Sequence, residues 1–422
     1  MIMRLFILSV LLFSQALFAD SYLIKNGRLV TMGMQGVIEN GDIHIVDGRI
    51  VEVAQEINPE SMDEVIDAGG AYVTPGLFDS GTQLGLAEVE KYVGSTDNRV
   101  KGQPLGAGFS PALALNRYSS FVPMVRKEGI TRAMVLPVTG SEILAGQSAL
   151  VQLGGNAPFS TNDGNAVHLY LREVDRKLAG GSQASALTQA VNSLKEAERF
   201  GKNKRAYQSG KTREFRQSEN DLKTLLQVLN RDMTLVIHLD RAADIETVIA
   251  ELNVFNIRLV IAGGREAWKV KELLAEREIP VVLNVIDNLP SRFDRLDARL
   301  DNAALLVGAG VKVAFMTQDL YSDTRSLTQA AGVAVAYGLT WHQAMKAITV
   351  NPAAIWGLEN YGSLEAGQVA DIVIWDGDPL EVMSAPTRLM IDGRWINLTT
   401  RQDLLRDRYS DLDKQDIPFG YR

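Results

Sequence analysis

The sequence predicts an α/β fold, a central (β/α)8 TIM-type barrel with a composite β-sandwich built from both ends of the chain. Two patterns and a length predict it. Short strand-like runs punctuated by Asn-Gly and Asp-Gly stand near both termini, and nearly continuous apolar runs alternate with amphipathic helical text between them. The 422 residues suit one barrel-sized unit of roughly 250 to 300 residues plus a smaller one.

Residues 1–19 stand apart. Arg4 is followed by an apolar run from Leu5 to Phe18, broken by Ser9, Ser14 and Gln15, and then by Ala19-Asp20. A charged start, a short apolar core and a small-residue exit are the pattern of a secretory signal peptide. Such a core is too short for an ordinary spanning helix. The expectation is export to the periplasm or outside the cell, with no membrane association after cleavage. Loss of Arg4 makes the formal charge of −8 one unit more negative. This acidic balance gives a nucleic acid no electrostatic footing. The chain has no Cys, which excludes disulfides, thiol nucleophiles, thiolate zinc sites and iron–sulfur clusters.

Residues 20–75 form the N-terminal part of the composite sandwich. Tyr22-Leu23-Ile24, Arg28-Leu29-Val30, Asp42-Ile43-His44-Ile45-Val46 and Arg49-Ile50-Val51-Glu52-Val53 read as strands. Asn26-Gly27, Asn40-Gly41 and Asp47-Gly48 between them supply the positive φ that tight hairpins need. The C-terminal part, residues 361–422, repeats this grammar in Ala370 to Trp375, Arg388 to Ile391 and Asp392-Gly393-Arg394-Trp395-Ile396. Each piece would leave a sheet exposed, so the two are expected to complete each other.

Residues 76–360 carry the barrel. Its strands are read in Arg132 to Pro137, Thr234 to His238, Arg258 to Ala262, Pro280 to Leu283 and Val311 to Met316. Helical periodicity occupies Ile245 to Leu252, Glu266 to Glu276, Arg299 to Gly308 and Ser326 to Gly338, with Gly308, Gly310 and Gly338 at C-cap positions. One segment fits less well. Residues 180–220 mix Lys195, Arg199, Lys202, Lys204, Arg205, Lys211, Arg213 and Arg216 with Glu196, Glu198 and Glu214, which reads as the solvated face of an inserted helix or a docking surface.

Chemistry is expected around the first barrel strand. Thr74-Pro75-Gly76-Leu77-Phe78-Asp79-Ser80-Gly81-Thr82-Gln83-Leu84-Gly85 resembles the first strand of the amidohydrolase superfamily, normally P-G-L/F-I-D-x-H-x-H-x-G. Gly362-Ser363-Leu364-Glu365-Ala366-Gly367 to Val373, Gly338 to Ala344 and Thr349-Val350-Asn351-Pro352-Ala353 resemble later segments of that superfamily. Ile237 to Ile245 and Gly264-Arg265-Glu266-Ala267-Trp268 are similar to its imidazolonepropionase-like group.

The resemblance implies a divalent, zinc-like metal held at the barrel mouth by two His one residue apart and by ligands from later strands. It implies a last-strand Asp that moves protons while an amide or lactam C–N bond is cut. The two paired positions are here Gly81, without a side chain, and Gln83, a neutral amide. His238 matches the fifth-strand metal ligand and Asp319 the catalytic last-strand Asp. The sixth-strand position reads Ile261-Ala262-Gly263-Gly264, without a His. Gln83, Gly146 and Gln147 are the candidate substrate contacts, the last two within the Gly-rich run from Gly146 to Gly155. His44, His168 and His342 resemble no replacement ligand, and Lys177 is read as a surface residue.

Two further constellations are weighed: Ser80 with His238 and Asp240 or Asp319 as a nucleophile, base and acid, and Asp79 with Glu88 and Glu90 as an oxygen-rich magnesium or manganese site. Two functions stay open. One is an amidohydrolase with an altered, mononuclear site on His238 and Asp319. The other is a silent relative that binds a small molecule, self-associates, or pairs with an intact homologue. Restoring the imidazoles, by Gly81→His and Gln83→His, is expected to create metal affinity.

Overall fold

The computed structural model describes residues 20–58, 62–88, 93–103, 105–155, 159–161, 166–211, 214–318 and 323–410. Residues 1–19, expected from the sequence to be a signal peptide, Glu90 and Asp319 lie outside them. Among the described residues no helix is long and apolar enough to cross a membrane.

In chain order the N-terminal strands are β1 (Ser21–Val30), β2 (Val37–Val46), β3 (Arg49–Ala54), β4 (Glu64–Asp67) and β5 (Tyr72–Pro75). The central strands are β6 (Leu77–Thr82), β7 (Ile130–Val135), β8 (Leu144–Gln147), β9 (Ala149–Gln152), β10 (Ser160–Thr161), β11 (Ala166–Tyr170), β12 (Thr234–Leu239), β13 (Leu259–Gly263), β14 (Val281–Leu283) and β15 (Val313–Phe315). After them come β16 (Ile372–Trp375), β17 (Pro386–Ile391) and β18 (Arg394–Trp395).

Both chain ends share one eight-stranded sheet in the order β18-β17-β16-β5-β1-β2-β3, with β4 beside β1. Its seam is the antiparallel pairing of β16 with β5. The turn chemistry differs from the expected hairpins at two places. Asn26-Gly27 and Asn40-Gly41 lie inside β1 and β2, facing each other where the register slips. Asn26 and Asn40 have φ of 55° and 52°, so both dipeptides serve as bulges within long paired strands. Asp47-Gly48 and Asp392-Gly393 do turn hairpins, each with two successive positive φ angles.

The central strands form a four-stranded sheet, β10-β9-β7-β6, and a six-stranded one, β15-β14-β13-β12-β11-β8. The β11 to β15 ladder is parallel, as is β6 on β7. The two sheets meet at the end of β6, where the Gly81 carbonyl accepts from the N–H groups of Thr317 and Gln318 at 3.2 and 2.7 Å. Side chains of β7, β11 and β12 are buried on both faces, as strands covered on two sides require. One face packs on Phe78, Met134, Leu136, Val236, Val260, Val282, Ala314 and Met316. The opposite face packs on the helices.

Helices alternate with these strands: α1 (Phe121–Arg126), α2 (Gln183–Lys202), α3 (Lys204–Gln208), α4 (Glu219–Leu229), α5 (Ala242–Leu252), α6 (Lys271–Glu276), α7 (Asn302–Gly308), α8 (Leu327–Ala336), α9 (Trp341–Lys346), α10 (Val350–Trp356) and α11 (Arg401–Tyr409). The charged 180–220 segment is mostly α2 and α3. Ala186, Leu187, Ala190, Val191, Leu194 and Ala197 of α2 face the core, while its charges face solvent. A short 3-10 turn, Ala267–Val270, replaces the first half of the helix expected over 266–276.

Arg132 of β7 joins the central strands to the shared sheet. It is 2.9 Å from Asp371, also pairs with Asp392, and lies 4.6 Å over the Tyr361 ring. Asp371 in turn accepts the Asp392 N–H at 2.8 Å.

Candidate functional site

The site lies where β6, β11, β12 and β15 end together. Asp79 of β6 is fully buried. Its Oδ1 accepts from the N–H groups of Gly81 and Thr317 at 2.9 and 3.2 Å, and the Thr317 hydroxyl donates to its Oδ2. Asp79 thus fastens the first central strand to the last. Glu88 is exposed and accepts from Asn116, so the described part of the imagined carboxylate cluster does not converge.

Gly81 and Gln83 do reach the mouth. A Cβ on Gly81 would lie 2.8 Å from Leu136 Cδ1, 3.0 Å from Met316 Cβ and 3.2 Å from Met316 Sδ. The space that an imidazole would need there is filled by apolar side chains. The Gln83 Oε1 accepts from Asn98 Nδ2, and its Nε2 lies 3.5 Å from the Gln318 carbonyl. Gln318 holds a left-handed φ of 37°.

His168 is the residue that sequence reasoning passed over. It sits in the middle of β11, in register with Val236 two residues from His238, and its Nδ1 is 2.9 Å from His238 Nε2. The Gln318 side-chain amide lies 3.4 Å from His238 Nδ1. Tyr170 stacks on the His238 ring at 3.8 Å, donates its hydroxyl proton to the Pro137 carbonyl at 2.6 Å, and carries the Arg172 guanidinium 4.8 Å above its ring. His168 Nε2 is buried with no hydrogen-bond partner among the described residues. The alternation Val167-His168-Leu169-Tyr170 was the available signal: on a strand it places His168 and Tyr170 on one face.

Beside this stack lies a lattice of arginines and aspartates. The buried Asp240 is held by Arg265 and Arg292, each at 2.8 Å. Asp287 takes Arg265 at 2.7 Å and Arg295 at 2.9 Å, and Asp294 takes Arg292 at 3.1 Å. Asp240 therefore faces guanidinium groups and makes no bond to His238. Ser80 Oγ is buried without a partner among the described residues, so no serine, imidazole and carboxylate series forms here.

Gly146 of β8 lies opposite His168 and has a φ of 124°, and a Cβ there would meet the Phe109 carbonyl at 2.5 Å. Its glycine is needed for that close approach. Gln147 turns to Thr224 at 3.4 Å, away from the imidazoles. Lys177 is exposed on a 3-10 turn. His44 lies in β2 beside Ser21 at 3.2 Å, and His342 in α9. Asp319 lies outside the described residues.

The described donors do not fit the metal centre that the resemblance implies. Gly81 offers no donor, the Gln83 carbonyl oxygen already accepts from Asn98, and the facing nitrogens of the two imidazoles bond to each other. Among the described residues no three His, Asp or Glu side chains converge as metal ligands.

Electrostatics follow from burial. It lowers the His168 pKa to about 3 and, helped by nearby His168, Arg172 and Arg265, holds His238 well below its ordinary value. Burial pushes Asp79 up to about 7, against the three hydrogen bonds that favour its ionised form. Both imidazoles gain protons in the unfolded chain below pH 6.5 but stay neutral in the native one, so they lower stability as pH falls from 6.5 towards 3. Asp79 acts in the opposite sense. Its contribution is full below pH 3.8 and is lost as pH rises through about 7. Urea midpoints should therefore fall on acidification below pH 6.5, more steeply in Asp79→Asn and less steeply in His168→Gln. Equal slopes in all three proteins would mean that these groups titrate alike in both states.

Comparisons with known proteins agree with this architecture. The model of the amidohydrolase family matches residues 72–400. The chain is 22% identical over 391 residues to amidohydrolase tasK of Hapsidospora irregularis, an alignment covering 84% of this chain and 39% of that longer protein. It is 25% identical over 392 residues to the 5-methylthioadenosine/S-adenosylhomocysteine deaminase of Bacillus cereus, covering 83% and 84% of the two chains. Among solved structures, an amidohydrolase from Thermotoga maritima MSB8 superposes with a TM-score of 0.81 at 25% identity, over 89% of this chain and 99% of that one. A prolidase complexed with N-methylphosphonate-L-proline, at 14% identity and a TM-score of 0.54 over 90% and 100% of the chains, shares the fold. Such neighbours imply a TIM-barrel-type fold of mixed α/β content.

Proposed function

The chain belongs to the amidohydrolase family, and we propose that it is an exported member that has given up the family's usual metal-dependent hydrolysis and serves as a small-molecule binding protein or as the partner of an intact homologue. In this reading the two central sheets close through Gly81 into the (β/α)8 barrel of residues 76–360. Residues 20–75 and 361–422 make the composite domain, and residues 1–19 direct the chain to the periplasm or beyond.

One observation carries the proposal. Where a divalent ion would need a cluster of anionic and imidazole donors, the mouth offers Gly81 packed on Leu136 and Met316, an engaged Gln83, and an imidazole pair bonded to itself. Members of the family generally use a divalent metal. Neutral amides and neutral imidazoles instead suit an uncharged, hydrogen-bonding ligand.

The family also supports a second reading, hydrolysis of a non-peptide or dipeptide-like C–N bond by an altered site that includes His238 and Asp319. Two observations favour it: His238 stands at the end of β12, and the alignment with the deaminase runs over most of both chains.

Metal analysis and turnover separate the two. Protein purified from its native compartment should carry no stoichiometric zinc, manganese or iron. After incubation with each ion it should hydrolyse no cyclic amide, N-acyl amino acid, dipeptide or aminopurine nucleoside. Stoichiometric metal that disappears in His238→Ala, together with turnover of any of these compounds, would establish the enzyme reading instead.

A further inference from the structure

The imidazole pair is sealed, and the manner of sealing is informative. His168, in the middle of β11, and His238, near the end of β12, are 0% and 1% exposed, although His238 stands at the strand ends where a barrel mouth would open. The segment after β14, residues 284–299, is bound to the neighbouring strand ends by polar groups. Its Arg292 spans Asp240 and Asp294, and its Asp287 takes Arg265 at 2.7 Å. On the far side, Asp294 and Glu173 exchange bonds reciprocally: the Glu173 N–H donates to Asp294 Oδ2 at 2.7 Å, and the Asp294 N–H to Glu173 Oε2 at 3.1 Å. Glu173 follows Arg172, which lies over the Tyr170 ring, and Tyr170 in turn stacks on His238.

Val285, at the start of the segment, is buried in the core, but the larger apolar residues beyond it point elsewhere. Ile286, Leu289, Phe293 and Leu296 are all exposed. Beyond Val285 the segment is therefore held down by ion pairs while its large apolar side chains already face water. Lifting it would rehydrate charges, whose burial gives little net stability, and would expose little further apolar surface of its own. A structural loop fixed for good would be expected to do the reverse, burying Phe293 and its neighbours in the core.

We propose that residues 284–299 form a strap that closes the barrel mouth over the His168–His238 pair and must lift for a small molecule to reach it. The proposal rests on the reading that this mouth receives a small molecule, and it is tested without one. Diethylpyrocarbonate acylates accessible neutral imidazole, and the chain has four His, which mass spectrometry of peptides resolves. The partly exposed His44 and His342 are internal references for global unfolding.

Two variants decide. Arg292→Gln should raise the labelling rates of His168 and His238 about tenfold or more, because access by local opening follows the opening equilibrium, while His44 stays at its wild-type rate. A double variant, Glu173→Cys with Asp294→Cys, introduces the chain's only thiols. Closing them with a short bis-maleimide should slow labelling of the pair below that of the unlinked variant. Unchanged labelling of the pair in Arg292→Gln, a rise that His44 matches, or equal rates with and without the link would each overturn the strap. None of these outcomes depends on whether the protein binds metal or turns anything over, so the strap can fail while the functional reading stands, and the reverse.

Discussion

A Gly81→His, Gln83→His variant is expected to lose about 1–3 kcal/mol of stability and to gain no stoichiometric zinc. From residue types alone the opposite follows, since two imidazoles one residue apart would rebuild the missing pair. Packing reverses that expectation. Any Cβ at Gly81 comes within 2.8 Å of Leu136 Cδ1 and 3.0 Å of Met316 Cβ, so the new ring enters a filled interior and forces its neighbours off their rotamers. Adding Leu136→Ala and Met316→Gly should relieve both contacts, and zinc binding by titration calorimetry should then appear. Stoichiometric zinc in the two-residue variant at wild-type stability would show that the interior at Gly81 yields more easily than its packing implies. The loss of ligands and the closing of the space would then be separate events.

Arg132→Met is expected to cost about 3–5 kcal/mol, because removing one partner of a buried ion pair leaves the other uncompensated. Asp371 is fully enclosed, and burial raises its pKa while Arg132 opposes the rise. Without the guanidinium, the carboxylate and its neighbour Asp392 would repel each other beneath the shared sheet. Arg132→Met with Asp371→Leu should recover most of the loss, since apolar replacement of both partners removes the stranded charge. Chemical denaturation at neutral pH measures both. A loss under about 1 kcal/mol for the single variant would place the pair among weak surface contacts. This junction matters for function because Arg132 lies on the strand beside β6, so the alignment of Asp79 and Gly81 depends on the sheet that both chain ends build.

How far the site was legible varies residue by residue. Gly81 and Gln83 were found from the sequence because a motif fixes their spacing, and His238 because it ends an apolar strand run. His168 was missed for a physical reason. A lone His in an apolar stretch carries no sign of its partner, and its partner lies 70 residues away on a parallel neighbour. The arginine lattice was equally hidden, since Arg265, Arg292 and Arg295 look like surface charges until the chain brings them to Asp240 and Asp287. In Asn26-Gly27 and Asn40-Gly41 only the asparagines hold positive φ, and neither dipeptide turns a hairpin. Whether such a dipeptide ends a strand or bulges within it depends on the partner strand, and each of these faces the other.

By itself the sequence determined the alternation of strands and helices, the joining of the two chain ends, and the absence of the paired imidazoles. These are properties of period, turn residues and side-chain identity, all local along the chain. Only the tertiary structure decided what stands in the place of those imidazoles: Met316 and Leu136 against Gly81, a neutral His168–His238 pair under Tyr170, and, beside them, a lattice of arginines and aspartates. Those arrangements join residues from β6, β7, β11, β12 and the ends of β14 and β15. Their meeting is set by strand register and close packing, which no single stretch of the chain encodes.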